Sequence, residues 1–262
     1  MTLSPEVDQA VTTFAARRRV LLGVDFDGTL APFVRDPMDA AAAPGGLEAL
    51  RAAAALEGVS VVILSGRDLA TLRTLTGVGE HEPIVLVGSH GAQSSLAGDL
   101  DGSLLDDAQE QTLASVRDGL EQVAADHDGP RVEHKPAGVA LHTRGVAEPV
   151  AGRAADAAHE VAARHTGVHV TPGKDVVEIS VLSATKGTAL ESLAASRRVE
   201  AIAYFGDDVT DERAFAVLDP ARGDLGVKVG AGQTLAGHRV PGIPEVVEAL
   251  ELFVRSRRGR LA

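Results

Sequence analysis

A chain of 262 residues suffices for one large domain or two smaller ones, and two unequal units, each with its own core, are the expectation. Apolar residues make up 45% and charged residues 24%, which excludes a disordered chain, but aromatics reach only 3%, so the core must be built from Ala, Val and Leu. The 25 basic and 37 acidic side chains leave a net charge of −12, which opposes nucleic acid and anionic membranes, and the lack of cysteine excludes disulfides, thiolate metal sites and cysteine nucleophiles.

The first residues, "MTLSPEVDQAVTTFAARRR", lack an apolar signal core and read as an amphipathic helix opened by Ser4 and Pro5. No apolar run approaches the roughly 20 residues that span a bilayer, so a soluble cytoplasmic protein is expected. Short β-rich runs follow: "RVLLGVD" (19–25), "GVSVVILS" (58–65), "PIVLVG" (83–88), "AIAYFGD" (201–207) and "LGVKVG" (225–230). Helices are predicted between them over 44–56, 185–198 and 210–218, the last N-capped by Thr210. Apolar strands alternating with helices imply an α/β fold, a Rossmann-like parallel sheet covered on both faces.

The middle differs. From 95 to 182 the pattern gives a polar loop, a helix over 106–127, two short strands within 131–144, a helix over 148–165 and a hairpin over 167–182 that turns at Pro172-Gly173. This reads as an α+β unit inserted between two parts of the core, 1–94 and 183–262.

Ligands of an open parallel sheet bind beyond the carboxyl ends of its strands. Three strands end in polar residues there: Asp25, Ser65 and Asp207. Asp25 and Asp27 lie two apart on an extended chain and point the same way, and "GDDVTDE" (206–212) adds Asp207, Asp208 and Asp211. Five carboxylates cannot share one pocket as anions without a cation, and oxygen-only ligands point to a hard ion, Mg²⁺ foremost. A metal-held carboxylate beside a second acid suits covalent phosphoryl transfer. Asp25 would attack phosphorus, and Asp27 would protonate the leaving alcohol and then activate water. Thr29, Ser65, Gly66 and Lys186 would hold the phosphoryl oxygens.

"DFDGTL" (25–30), "SGR" (65–67), "KG" (186–187) and "GDDVTDE", in that order, resemble the four motifs of the haloacid dehalogenase-like phosphohydrolases. The resemblance implies a capped core, with Asp25 as nucleophile, Asp27 as general acid and base, and Asp207 as the principal acidic Mg²⁺ ligand. It makes Asp208 and Asp211 supporting members of the metal shell. "DFDGTLAP", "SGR", "GSHGAQ" (88–93) and "VEHKPAGVALHTR" (132–144) more closely resemble the trehalose-6-phosphate phosphatase family. That likeness implies trehalose 6-phosphate as substrate, with Glu133, Lys135, Lys174 and Glu178 of the cap on its sugar hydroxyls. A monomer without nucleic-acid or membrane partners is expected. Two positions depart from the pattern: Thr185 stands where an acid often precedes Lys-Gly, and Gln93 where Glu often follows "HGA".

Bland alternatives stand beside these. Asp27-Gly28 also suits an ordinary turn. Arg67 either anchors the turn after Ser65 or touches the sugar, and the four cap residues also suit a salt-bridged sheet surface. His90 either packs beneath the cap hinge or contacts substrate. Rival activities are a phosphatase of another glycosyl phosphate, a phosphosugar mutase and a non-catalytic sugar-phosphate sensor.

Overall fold

The computed structural model describes residues 3–96, 105, 107–135, 137–173, 175–181 and 184–259. The chain divides into two compact units, Met1–Asp99 with Ala184–Ala262, and Leu100–Ser183.

The first unit opens with α1 (Pro5–Ala15). The Ser4 hydroxyl accepts the Val7 N–H at 3.3 Å, and Pro5 occupies the first turn, where no N–H is needed. There follow β1 (Val20–Asp25), α2 (Gly46–Ala54), β2 (Val59–Leu64), α3 (Leu69–Thr76), β3 (Ile84–Gly88) and β4 (Gln93–Ser94). The second unit contains α4 (Asp107–Asp126), β5 (Arg131–Lys135), β6 (Gly138–His142), α5 (Glu148–Ala163), β7 (His169–Gly173) and β8 (Val176–Ser180). The chain then returns through α6 (Lys186–Arg197), β9 (Ala201–Gly206), α7 (Glu212–Phe215), β10 (Leu225–Val229), β11 (His238–Val240) and α8 (Ile243–Arg258). Of these, α3, α8, β4 and β11 have no counterpart among the elements read from sequence.

Among the described residues the first unit carries one seven-stranded sheet, ordered β11-β10-β9-β1-β2-β3-β4. Its pairs are parallel except β3–β4. Strand β1 is buried along its whole length, so its residues are apolar on both sides up to the terminal Asp25. Leu22 and Val24 pack with Val7, Phe14, Leu50 and Phe253 of α1, α2 and α8. Leu21 packs on the opposite face with Tyr204, Leu190 and Phe215. Later strands are added on either side of β1, so the order reverses there, and the crevice beyond Asp25 is the place where such sheets bind ligands.

Two local expectations are corrected. The segment after β9 is a 3₁₀ turn (Val209–Asp211) followed by the short α7, and its N-cap is Asp208 rather than Thr210. Asp208 is extended (φ −109°), its carboxylate accepts the Val209 N–H at 2.6 Å, and its own N–H reaches Asp211 at 2.9 Å. Asp208 and Asp211 bond reciprocally across this turn, so the cap forms two residues before Thr210.

Among the described residues the second unit is a four-stranded antiparallel sheet, β5-β6-β8-β7, with α4 and α5 on one face. Val139, Leu141, Val177 and Ile179 point into that core against Val116, Leu120, Ala158 and Val161. The hairpin does not turn at Pro172-Gly173: both residues belong to β7, opposite Val177 and Val176. β7 is an edge strand, where a proline's missing N–H is tolerated, and Asp175 takes the left-handed φ of +60° that the reversal needs.

Candidate active site

Three strand ends bring the polar residues together. Asp25 ends β1 and is 4% exposed, Ser65 follows β2, and Asp207 follows β9. Lys186, at the first position of α6 behind its N-cap Thr185, reaches into this crevice and is 3% exposed. Its ammonium donates to Asp25 Oδ1 at 2.5 Å and to Asp211 Oδ1 at 2.7 Å. Thr185 forms a reciprocal capping box with Thr188, so a neutral residue before Lys-Gly starts the helix without an acid.

Asp211 is fully buried, and each of its oxygens is already engaged. Oδ1 accepts from Lys186 and from the Tyr204 hydroxyl at 2.6 Å, while Oδ2 accepts the N–H groups of Asp207 and Asp208, each at 2.9 Å. Asp211 therefore shapes the loop that presents Asp207. The Asp207 carboxylate receives the Thr29 hydroxyl at 3.5 Å and lies against Gly28, whose φ is +84°. A Cβ at Gly28 would overlap that carboxylate, with Oδ1 only 2.7 Å away.

Oxygens of Asp25, Asp207 and Asp211 all lie within 4.8 Å of one another. Asp27 and Asp208 stand outside that group: Asp27 is turned to Arg67 and Asp208 to the turn it caps. Burial pushes Asp25 well above the usual carboxylate range, even against the adjacent Lys186 ammonium. Burial, then the charges of Asp211 and Asp208, pushes Asp207 up to about 6. Burial also works against the Lys186 charge, yet Asp25 and Asp211 outweigh it and hold the ammonium above its ordinary range. Burial and Asp211 likewise keep Tyr204 a neutral donor. The group is thus short of positive charge and offers oxygen alone, which fits a hard divalent cation. Asp211 already accepts two donors on each oxygen, which leaves Asp25 and Asp207 as residues that could hold such an ion directly.

Arg67 forms a two-pronged ion pair with Asp27, Nε to Oδ2 and Nη2 to Oδ1, each at 2.7 Å. It also donates to the Pro37 carbonyl at 2.6 Å and lies over the Phe26 ring at 5.9 Å. Arg67 is thus the anchor of its turn. The Ser65 hydroxyl accepts the Arg67 N–H at 3.1 Å, and the His90 ring covers Gly66, where a Cβ would meet His90 Nε2 at 2.7 Å. Ser89 and His90 both adopt left-handed φ, donating their N–H groups to the carbonyls of Arg67 and Ser65. Gln93 accepts the Leu69 N–H at 2.9 Å and the Ser89 hydroxyl at 3.0 Å, bonds that a neutral amide oxygen makes without adding charge. A pocket of about 430 Å³ opens over these groups, lined by Asp25, Asp27, Phe33, Arg67, His90 and Lys186 among others.

Lys228 belongs to none of the sequence motifs. Only 4% exposed, it donates its ammonium to the Asp207 carbonyl. The available signal was a lysine in the middle of "LGVKVG", a strand otherwise buried on both faces.

In the second unit, Glu133, Ala140, Glu178 and Thr171 form one row across the sheet, on the face opposite the helices. Lys135 donates to Glu178 at 2.5 Å, and Glu133 pairs with His142 at 2.7 Å. Lys174 lies outside the described residues.

The profile of the trehalose-phosphatase family matches residues 23–239. The chain is 36% identical over 242 residues to a bifunctional trehalose-6-phosphate synthase/phosphatase of Thermoproteus tenax, covering 89% of this chain and 32% of that protein. It is 37% identical to a trehalose-phosphate phosphatase of Mycobacterium bovis over 75% of this chain and 50% of the relative. The chain thus spans about a third to a half of the length of these curated relatives. Among solved structures, a trehalose-6-phosphate phosphatase of Aspergillus fumigatus superposes with a TM-score of 0.74 at 24% identity, covering 98% of this chain and all of that one, and shows the same fold. The matched stretch begins two residues before Asp25 and runs past Lys228, taking in every side chain of the acidic centre, and the chain therefore belongs to the trehalose-phosphatase family, with its haloacid dehalogenase-like α/β fold.

Proposed function

We propose that this chain hydrolyses trehalose 6-phosphate to trehalose and phosphate, a closing step of trehalose synthesis, with Mg²⁺ as its ion. The observation that carries the reading is the Lys186 ammonium shared between Asp25 and Asp211, with Asp207 in the same acidic group. Such a constellation suits a carboxylate nucleophile that works on an anionic phosphate ester.

Asp25 attacks phosphorus, so that a carboxylate O–P bond forms as the bond to the sugar oxygen breaks. Lys186 keeps Asp25 oriented and donates to the phosphoryl oxygens as they approach, with Ser65, the Gly66 main chain and Thr29 around them. Mg²⁺, held by Asp25 and Asp207, would offset phosphoryl charge and align the group for in-line attack. Asp27 protonates the departing sugar oxygen, then takes a proton from the water that cleaves the aspartyl phosphate and frees Asp25. The Arg67 fork holds the Asp27 carboxylate in place for both half-reactions.

The inserted unit, residues 95–182 as read from sequence, would act as a specificity cap. Its polar sheet face carries Glu133, Lys135 and Glu178, and with Lys174 these would meet sugar hydroxyls. Asp208 and Asp211 support the metal shell from behind. A monomer in the cytoplasm completes the reading; the composition has no cysteine, and no described helix is long and apolar enough to cross a membrane.

The test is phosphate release from trehalose 6-phosphate, sucrose 6-phosphate and glucose 6-phosphate, each with and without EDTA. The disaccharide of trehalose should be preferred and EDTA should abolish turnover. EDTA-insensitive release, or equal rates across the panel, would refute the assignment.

A further inference from the structure

Aromatic residues are scarce, six phenylalanines and one tyrosine, and their burial divides them sharply. Phe14, Phe26, Tyr204, Phe205, Phe215 and Phe253 are at most 3% exposed, whereas Phe33 is 73% exposed. Phe33, Val34 and Pro37 line the same pocket as Asp25, Asp27 and Lys186. Of the five large exposed hydrophobics among the described residues, Phe33, Val34 and Met38 lie on this one loop, and Val209 sits between the pocket residues Asp208 and Thr210. The loop is tethered: Asp36 accepts the Met38 N–H at 2.9 Å, and Arg67, the partner of Asp27, holds the Pro37 carbonyl.

The pocket therefore joins a charged floor to an apolar wall, and its volume falls within the range of about 300–1,000 Å³ common for small-molecule sites. A bare phosphate has no use for such a wall. A pyranose does, because its axial C–H bonds form a weakly positive apolar face that suits the negative face of an aromatic ring. We propose that Phe33, flanked by Val34, stacks on the C–H face of the sugar ring next to the phosphate and makes the core unit itself a reader of the leaving group. This rests on the sugar-phosphate reading above.

The experiment compares kcat/KM for trehalose 6-phosphate and for acetyl phosphate, which has no ring, in the parent, Phe33→Ser and Phe33→Trp. Phe33→Ser should lower the ratio of the two by about tenfold or more, chiefly through KM, and Phe33→Trp should restore it. In an Asp25→Asn background, calorimetry should show trehalose 6-phosphate binding about tenfold weaker after Phe33→Ser, at unchanged Tm. An unchanged ratio overturns the assignment. So do equal losses on both substrates, which would make Phe33 a contact for pocket closure. A parent that releases phosphate from acetyl phosphate and from no sugar phosphate would instead defeat the proposed function and this inference with it.

Discussion

Gly28→Ala tests how the acidic centre is built, because one methyl group meets two constraints at once. Residue 28 has φ +84°, a conformation that costs an L-residue about 1–2 kcal/mol. The new Cβ would also occupy the space of the Asp207 carboxylate, whose Oδ1 lies 2.7 Å from that position. Relief comes from turning Asp207 off its rotamer, at about 0.5–1.5 kcal/mol, and away from Thr29. The sum, roughly 1.5–3.5 kcal/mol, lowers Tm by about 3–14 °C for a unit of this size. The functional loss is larger, since a ligand displaced by about 1 Å costs on the order of a hundredfold in rate. Differential scanning fluorimetry with and without Mg²⁺ separates the two effects: the parent should gain stability on adding the ion, and the variant should fold but gain little. A Gly28→Ala protein that keeps the parent's Mg²⁺-dependent Tm shift and activity would refute the claim that close packing of Gly28 on Asp207 sets the centre.

Two further substitutions test charged groups of the same unit. Asp207 is raised to about 6 in the folded chain, so the folded state binds more protons than the unfolded one between about pH 4 and 6, and metal-free stability falls through that window. The stability of Asp207→Asn relative to the parent should therefore grow from pH 4 to 7, by about 1–2 kcal/mol after solvent screening; urea melts in EDTA that show no such trend would contradict it. Arg257 donates to the carbonyls of Ala15, Arg17, Arg18 and Glu57, tying α8 to the start of β1. Arg257→Ala should cost roughly 2–4 kcal/mol in chemical denaturation, with Arg257→Lys recovering less than half because an ammonium lacks the planar fork, and a loss below about 1 kcal/mol would count against this role.

What the sequence determined by itself was the part governed by local pattern. Apolar strands ending in Asp25, Ser65 and Asp207, and a helix opening at Lys186, follow from periodicity and capping, and the strand-end rule alone brings these residues to one edge. The likeness of the four motifs to a known family supplied their roles. Side-chain partnership was beyond its reach, because that depends on which strands become neighbours. Asp27 and Asp25 lie two apart in the sequence, yet one pairs with Arg67 and the other with Lys186. Asp211 reads as a metal ligand in the motif, but folding surrounds it with four donors and makes it the support of the Asp207 loop. Lys228 and Phe33 carry no motif, and their significance appears only when β10 is laid beside β9 and the loop after β1 is set at the rim of the pocket. Periodicity reports which face a residue occupies; only tertiary packing decides what it meets there, since the neighbours of a buried charge come from segments up to 242 residues away.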